Sequence, residues 1–195
     1  MASQCITANI ALLGKGGVGK TTLGISFAHK EFVEQYDPSN FDTYTKEVVI
    51  KNVKYKIVIL DTPGQLSQPY MLESTIKEAD HCILIFSLTD HESFQHLQEY
   101  LETIQRIKGE GFSAITLIGN KQDKINDSPE LRRVQKSEAE GMAASYRVNY
   151  HEISTKSYDT VENIFHDIVK SIHPEINGTD NTKTKKNRPK CCSIF

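Results

Sequence analysis

A glycine-rich segment near the start of the chain is suited to hold phosphate. Gly14-Lys15-Gly16-Gly17-Val18-Gly19-Lys20-Thr21 matches the pattern G-x-x-x-x-G-K-[S/T]. Glycines let backbone N–H groups close around phosphate oxygens without Cβ clashes, and a helix that begins there adds free N–H groups and its positive dipole end. In this pattern Lys20 places its charge on the outer phosphates, and the Thr21 hydroxyl is a ligand for Mg²⁺. The segment therefore predicts a site for nucleotide phosphates.

A carboxylate adds to this site from a second segment. The apolar run Lys56–Leu60 is followed by Asp61-Thr62-Pro63-Gly64-Gln65. An Asp at the carboxyl end of a parallel strand lies in the crevice where ligands bind, and it can hold Mg²⁺ directly or through water. Taken alone, such an Asp is usually a turn former. With a phosphate loop upstream, Asp61 becomes a candidate metal-site residue.

A third segment indicates which base is bound. The run Ala114–Gly119 is followed by Asn120-Lys121-Gln122-Asp123, an N-K-x-D pattern. A carboxylate accepts two N–H bonds at once, and guanine offers N1–H and the exocyclic N2–H₂ side by side, whereas adenine does not. N-K-x-D by itself is common by chance, but after the other two patterns it predicts that Asp123 selects guanine and disfavours an ATPase or kinase.

The elements that must position these residues have the pattern of an α/β protein. Short β-branched runs alternate with helical patterns, which indicates βαβ units and a mostly parallel sheet. Lys51-Asn52 between two runs suggests a hairpin, so one edge strand is expected to be antiparallel. We expect a three-layer fold of the P-loop NTPase type, with six strands and about five helices. The runs are Asn9–Leu13, Val48–Ile50, Lys56–Leu60, Ile83–Leu88, Ala114–Ile118 and Tyr150–Ile153.

Two helices are predicted from apolar spacing, and one helix start is predicted from a polar pair. The first apolar stripe runs from Phe94 to Ile104 and the second from Val161 to Ile172, each with one face for a core. Ser137 with Glu140 three residues later is typical of a capping box.

Composition and charge narrow the function. The chain has 195 residues, 38% of them hydrophobic, and a net charge of −2, which argues against a strongly basic nucleic-acid binder. The charge is unevenly distributed along the chain. Residues 176–195 carry five Lys/Arg and one Asp, a net charge of +4. Residues 1–175 carry the remaining 18 basic and 24 acidic residues, a net charge of −6. We expect one domain over 1–175 and a flexible tail over 176–195. The four cysteines have neither disulfide nor metal spacing, and no signal peptide is expected.

Taken together, these motifs resemble the Ras family of small GTPases. The resemblance covers residues 7–173 and the extreme C-terminus. The segments that carry it are GKGGVGKT at 14–21, Phe32, YDPSNFDTY at 36–44, DTPGQ at 61–65, NKQD at 120–123 and EISTK at 152–156.

The resemblance implies a set of functional residues. Phe32 stacks on guanine, Lys121 lies along its other face, and Ser154, Thr155 and Lys156 complete the base pocket. Lys20, Gly64 and Gln65 serve hydrolysis, with Gln65 orienting the attacking water. The implied nucleotide contacts are Gly14, Lys15, Gly16, Gly17, Val18, Gly19, Lys20, Thr21, Thr22, Phe32, Val33, Tyr36, Pro38, Ser39, Asp61, Gly64, Asn120, Lys121, Asp123, Ser154, Thr155 and Lys156. The implied Mg²⁺ ligands are Thr21, Ser39 and Asp61.

The resemblance also implies partners. Effectors would contact residues 36–44, the segment that the resemblance identifies as switch I. An exchange factor and a GTPase-activating protein would regulate the chain as a monomer. Gly16 and Gly17 leave room for an arginine of the activating protein. The implied effector residues are Tyr36, Asp37, Pro38, Ser39, Asn40, Phe41, Asp42, Thr43 and Tyr44.

Two residues depart from the family pattern. Most members carry Thr where this chain has Ser39, and Ala where it has Pro63. Ser39 keeps the hydroxyl for Mg²⁺ but loses a packing methyl. Pro63 leaves a second interpretation open beside the hydrolysing switch: a GTP-binding scaffold with very slow or no intrinsic hydrolysis.

The last residues predict a lipid anchor. Cys192-Ser193-Ile194-Phe195 fits C-a-a-X, for which a terminal Phe favours geranylgeranyl over farnesyl, and Cys191 is a candidate for palmitoylation. One lipid gives only marginal binding, so the upstream basic residues supply the second signal towards an anionic inner leaflet. We expect the cytoplasmic face of the plasma membrane, with a soluble cytosolic form before prenylation. The basic residues are Lys183, Lys185, Lys186, Arg188 and Lys190.

Overall fold

One six-stranded sheet organises the protein. The computed structural model describes residues 5–30, 43–63 and 69–173. The strands are β1 (Cys5–Leu13), β2 (Thr43–Ile50), β3 (Val53–Asp61), β4 (His81–Ser87), β5 (Ile115–Asn120) and β6 (Asn149–Glu152). Their order is β2-β3-β1-β4-β5-β6, and all neighbours are parallel except β2 and β3. The predicted mostly parallel sheet with one antiparallel edge strand is confirmed.

The antiparallel pair is closed by the predicted two-residue turn. Ile50 pairs with Val53, and the residues between them have positive φ, 48° at Lys51 and 66° at Asn52. Positive φ at both central positions gives the turn a twist that matches the flanking strands.

Helices cover both faces of the sheet. Within the part of the chain that the structure describes, five helices have ten or more residues: α1 (Lys20–His29), α2 (Pro69–Glu78), α4 (Leu97–Lys108), α6 (Lys136–Tyr146) and α7 (Tyr158–Ile172). Shorter ones are α3 (His91–Gln95), α5 (Gln122–Asp127) and a 3₁₀ turn at Pro129–Leu131. Buried residues of α1 and α7 form one core with the sheet, and those of α4 and α6 form the other, so the fold has the three layers expected. No helix in the described ranges has the length and apolarity to cross a bilayer.

Two helix predictions need correction. The apolar stripe from Phe94 to Ile104 belongs to two helices, α3 and α4, separated at His96. The capping box is wrong: α6 begins at Lys136, and Gln135 stands at the N-cap with no side-chain bond. The Gln135 carbonyl accepts N–H bonds from Glu138 and Ala139, so Ser137 lies inside the first turn.

Candidate functional site

The glycine-rich segment forms a tight loop between β1 and α1. Gly14 and Gly19 have φ of 145° and 103°, values that side chains disfavour. A Cβ at Gly14 would lie 2.2 Å from the Ile85 carbonyl oxygen, and one at Gly19 would lie 2.3 Å from Asn120 Nδ2. The loop therefore has its backbone pressed against β4 and β5, and glycine is required at both positions.

Lys20 points back into this loop. Its Nζ donates to the carbonyl oxygens of Gly14 at 2.8 Å and Lys15 at 3.0 Å. Burial lowers the pKa of Lys20 to about 8, and the Asp61 carboxylate opposes that shift. A buried ammonium group held by neutral carbonyls is stabilised further by an anion. The loop thus offers a cation to phosphate oxygens.

Two hard oxygen donors meet beside Lys20. Thr21 Oγ1 lies 2.6 Å from Asp61 Oδ2, at the carboxyl end of β3. Asp61 is buried, and the next residue is anchored because Thr62 Oγ1 donates to the Leu12 carbonyl at 2.7 Å. A hydroxyl and a carboxylate are ligands of the kind that Mg²⁺ prefers, so the donor set fits that ion.

The predicted base pocket comes together at the end of β5. Asp123 accepts a hydrogen bond from Ser154 Oγ at 2.9 Å and pairs with Lys156 Nζ at 2.9 Å. Burial disfavours the charged form of Asp123, but these bonds outweigh it and lower its pKa. Asp123 is therefore a carboxylate at neutral pH, as recognition of two N–H donors requires.

Asn120 joins the phosphate loop to the base pocket. Its Nδ2 donates to the Val18 carbonyl at 2.8 Å, and its Oδ1 accepts from the Thr155 N–H at 3.1 Å. The side chain is buried, and both of its polar ends bond within the protein. Lys121 follows with φ of 70° and begins the turn into α5. Asn120 thus braces two loops that are far apart in sequence.

Glu92 lies at the rim of the loop and is not among the residues predicted from the sequence. Lys15 Nζ lies 2.7 Å from Glu92 Oε2 at the start of α3. Hydrogen bonds from Lys15 and His96 lower the pKa of Glu92. Glu92 belongs to no motif, and a contact 77 residues from Lys15 leaves no local signal.

Other predicted residues lie around or outside this geometry. Thr22 is buried in α1, Thr43 and Tyr44 are in β2, and Gly16 and Gly17 lie in the loop. Several predicted residues fall outside the described ranges: Phe32, Val33, Tyr36, Asp37, Pro38, Ser39, Asn40, Phe41, Asp42, Gly64, Gln65, Cys191 and Cys192.

The arrangement defines a class of protein. The carboxyl ends of β1, β3 and β5 lie at one edge of the sheet. They bring together the glycine-rich loop, the Thr21–Asp61 pair and the Asp123 carboxylate. This is where ligands bind in open α/β sheets. Fold and site are those of a P-loop nucleotide-binding protein.

Comparison with known proteins narrows the class. The chain matches the Ras family over residues 9–174. It is 35% identical to mouse Ras-related protein Ral-B, over 95% of this chain and 92% of that protein. Ras-related protein ralB-A of Xenopus laevis is 34% identical, over 98% of this chain and 96% of that protein. Ras-related protein Ral-a of Drosophila melanogaster is 35% identical, over 93% of this chain and 92% of that protein. The chain belongs to the Ras family.

Membership of this family confirms the predicted enzyme class. The chain is a small GTPase, a GTP-binding switch that hydrolyses GTP to GDP and works with regulator and effector proteins.

Proposed function

We propose that the chain is a membrane-anchored switch whose GTPase domain spans residues 1–175 and whose targeting tail spans 176–195. It cycles as a monomer between GTP and GDP states and signals through effector contacts of residues 36–44. The observation that carries this proposal is the convergence of Lys20, the Thr21–Asp61 pair and Asp123 at one edge of the sheet.

Guanine recognition is assigned to Asp123. Its carboxylate accepts the N1–H and N2–H of the base, while Ser154 and Lys156 hold it in place. Phe32 and Lys121 cover the faces of the base. The half-buried, ionised state of Asp123 supports this role.

Phosphate binding is assigned to the loop 14–21. Its N–H groups and the start of α1 surround the phosphates, and Lys20 exchanges its two carbonyl partners for phosphate oxygens. Thr21, Ser39 and Asp61 would hold Mg²⁺, which neutralises charge that develops on the phosphate oxygens. The hydrolytic water is oriented by Gln65, with the Gly64 N–H on the γ-phosphate.

The membrane contact is assigned to the tail. Cys192 would carry a prenyl group, Cys191 a second acyl chain, and the five basic residues would bind the anionic cytoplasmic face of the plasma membrane. The contrast between the net negative charge of residues 1–175 and the net positive charge of this tail supports a tail that faces the membrane.

Competition between nucleotides tests the base assignment. The purified chain is loaded with labelled GDP in Mg²⁺, and unlabelled GDP, GTP, ADP or ATP is titrated in. We expect GDP and GTP to displace the label at least a hundredfold more effectively than ADP or ATP, since adenine lacks the paired N–H groups. Equal displacement by ATP would contradict the proposal.

A further inference from the structure

A cluster of cations and aromatic rings lies where α1, β2 and α7 meet. Lys30 follows the last residue of α1, Lys46 lies on β2, and residues 31–42 lie between these two elements along the chain. Tyr158, the first residue of α7, comes two positions after Lys156 of the base pocket. The cluster is therefore connected in sequence to both the phosphate-binding helix and the base pocket.

The Tyr158 ring faces both lysines. Lys30 Nζ lies 4.8 Å from the ring centroid and Lys46 Nζ lies 5.0 Å from it. Both distances are within the range in which an aromatic face attracts a cation. Lys46 also donates a 2.7 Å hydrogen bond to the Tyr158 hydroxyl. One tyrosine thus contacts a cation from α1's end and a cation from β2.

Lys46 connects the cluster to the core. Its Nζ donates to the Phe27 carbonyl at 2.9 Å near the end of α1, and lies 4.6 Å from the Phe27 ring centroid. It also pairs with Glu162 at 3.4 Å, which accepts a hydrogen bond from the Tyr158 hydroxyl. The Lys46 side chain is only 16% exposed, so these partners replace most of its water. The Phe27 ring in turn stacks on Phe165 of α7.

We propose that Tyr158 is a positioning residue for nucleotide retention. Its ring fixes the end of α1 and strand β2 against the start of α7. The phosphate loop and the base pocket therefore keep a constant position relative to each other. Tyr158 acts through these elements and not by touching the nucleotide. The inference rests on the proposed function, because retention is measured with guanine nucleotide.

Release of fluorescent GDP from the full chain in Mg²⁺ tests the role. Tyr158→Leu removes the ring, and we expect release to accelerate about five- to tenfold, where tenfold corresponds to 1.4 kcal/mol. Tyr158→Phe keeps the ring for both lysines, and its release rate should stay within about threefold of wild type. The matched control is Tyr146→Leu, at a half-buried tyrosine on α6, whose rate should stay within about twofold.

A double-mutant cycle makes the test specific. Lys30→Gln, at an exposed position, should accelerate release about two- to threefold in the wild-type background and cause no further change in Tyr158→Leu. This single variant also tests the inference if Tyr158→Leu does not fold. Additive effects, an unchanged Lys30→Gln rate, or a lowered melting temperature in Tyr158→Leu with unchanged release would overturn it. If wild type binds no guanine nucleotide, the proposed function itself fails.

Discussion

At the scale of single residues, the proposed recognition of guanine depends on one carboxylate. Asp123 is held by Ser154 and Lys156, and its lowered pKa keeps it ionised. Asp123→Asn places an N–H donor opposite the N–H groups of guanine. Loss of this charge-assisted pair should cost about 3 kcal/mol, or more than a hundredfold in GTP affinity.

Equilibrium binding of a fluorescent GTP analogue measures this loss. Asp127→Asn is the matched control, because Asp127 is exposed at the other end of the same helix. Its affinity should equal that of wild type. An Asp123→Asn protein with unchanged affinity would remove the base assignment.

Pro63 is expected to slow intrinsic hydrolysis. Proline fixes its own φ and restricts the preceding residue, and here Thr62 is already tied to the Leu12 carbonyl at 2.7 Å. Gln65, the residue that we propose positions the attacking water, follows two residues later, and small misplacements in such sites are costly in rate. Pro63→Ala should hydrolyse GTP three- to tenfold faster, about 0.7–1.4 kcal/mol of barrier.

Single-turnover rates in Mg²⁺, without an activating protein, measure the effect. Pro129→Ala, at a proline in the distant 3₁₀ turn, should leave the rate unchanged. Equal rates or a slower Pro63→Ala would leave Pro63 as a turn residue only.

The sequence predicted the residues that stand in short motifs. It did not predict residues whose role depends on a contact with a partner distant in sequence. Gly14, Lys20 and Asp123 stand in motifs with fixed spacing, and the structure places them around one edge of the sheet. Glu92 and Tyr158 stand in no motif. Their partners, Lys15 and Lys46, lie 77 and 112 residues away, a separation that only the fold reveals.

At the scale of elements, α1 packs closely against β2. A Cβ at Gly24 would lie 2.7 Å from the Tyr44 ring, whereas a Cβ at Gly141 of α6 would meet nothing within 4 Å. Gly24→Ala should therefore destabilise the fold by about 1–3 kcal/mol through overpacking. Gly141→Ala should stabilise it by about 0.5–1 kcal/mol, because alanine favours the helix.

Denaturant unfolding of the two variants checks the contrast. Both changes add the same methyl group within a helix, so propensity alone would make both stabilising. A Gly24→Ala variant as stable as Gly141→Ala would contradict the close packing of Tyr44 on α1.

Elements were predicted best where burial is complete. All residues of β4 and β5 are buried, and both strands were found from apolar runs. The break at His96 was missed because the apolar stripe continues through it, from Phe94 to Leu97. The start of α6 was missed because Gln135 provides the first backbone bonds without a polar cap.

At the scale of the whole molecule, a buried histidine makes stability depend on pH. His81 begins β4, its Nε2 lies 2.9 Å from Thr116 Oγ1, and burial lowers its pKa to about 4. In the unfolded chain the pKa is about 6.5, so that state binds a proton first. The contribution of neutral His81 to the free energy of unfolding is fully present above pH 6.5. It should fall by about 3 kcal/mol as the pH drops to 4.

Unfolding free energies between pH 7 and pH 4 reveal this loss. His81→Gln should be less stable at pH 7 but should lose less stability on acidification. His151→Gln, at an exposed position, should retain the full wild-type dependence. A His81→Gln profile parallel to wild type would assign the acid sensitivity to other groups.

The division of charge between body and tail predicts how the molecule reaches a membrane. Cys192→Ser should make the protein soluble in cells, because a basic tail without lipid binds weakly. Neutralising the five basic residues should move the protein away from the most anionic membrane without preventing lipidation. Cell fractionation measures both, with Cys5→Ser as the matched cysteine control. Cys192→Ser still on membranes would mean that the anchor lies elsewhere.

We infer that GTP binds at this edge of the sheet and is hydrolysed there. The most direct measurement is a single turnover of GTP bound to the purified chain in Mg²⁺, with the nucleotides identified by chromatography. We expect bound GTP to convert to GDP and phosphate, and ATP to be neither retained nor cleaved. GTP that stays bound and intact would indicate a scaffold, and cleavage of ATP would contradict the site as described.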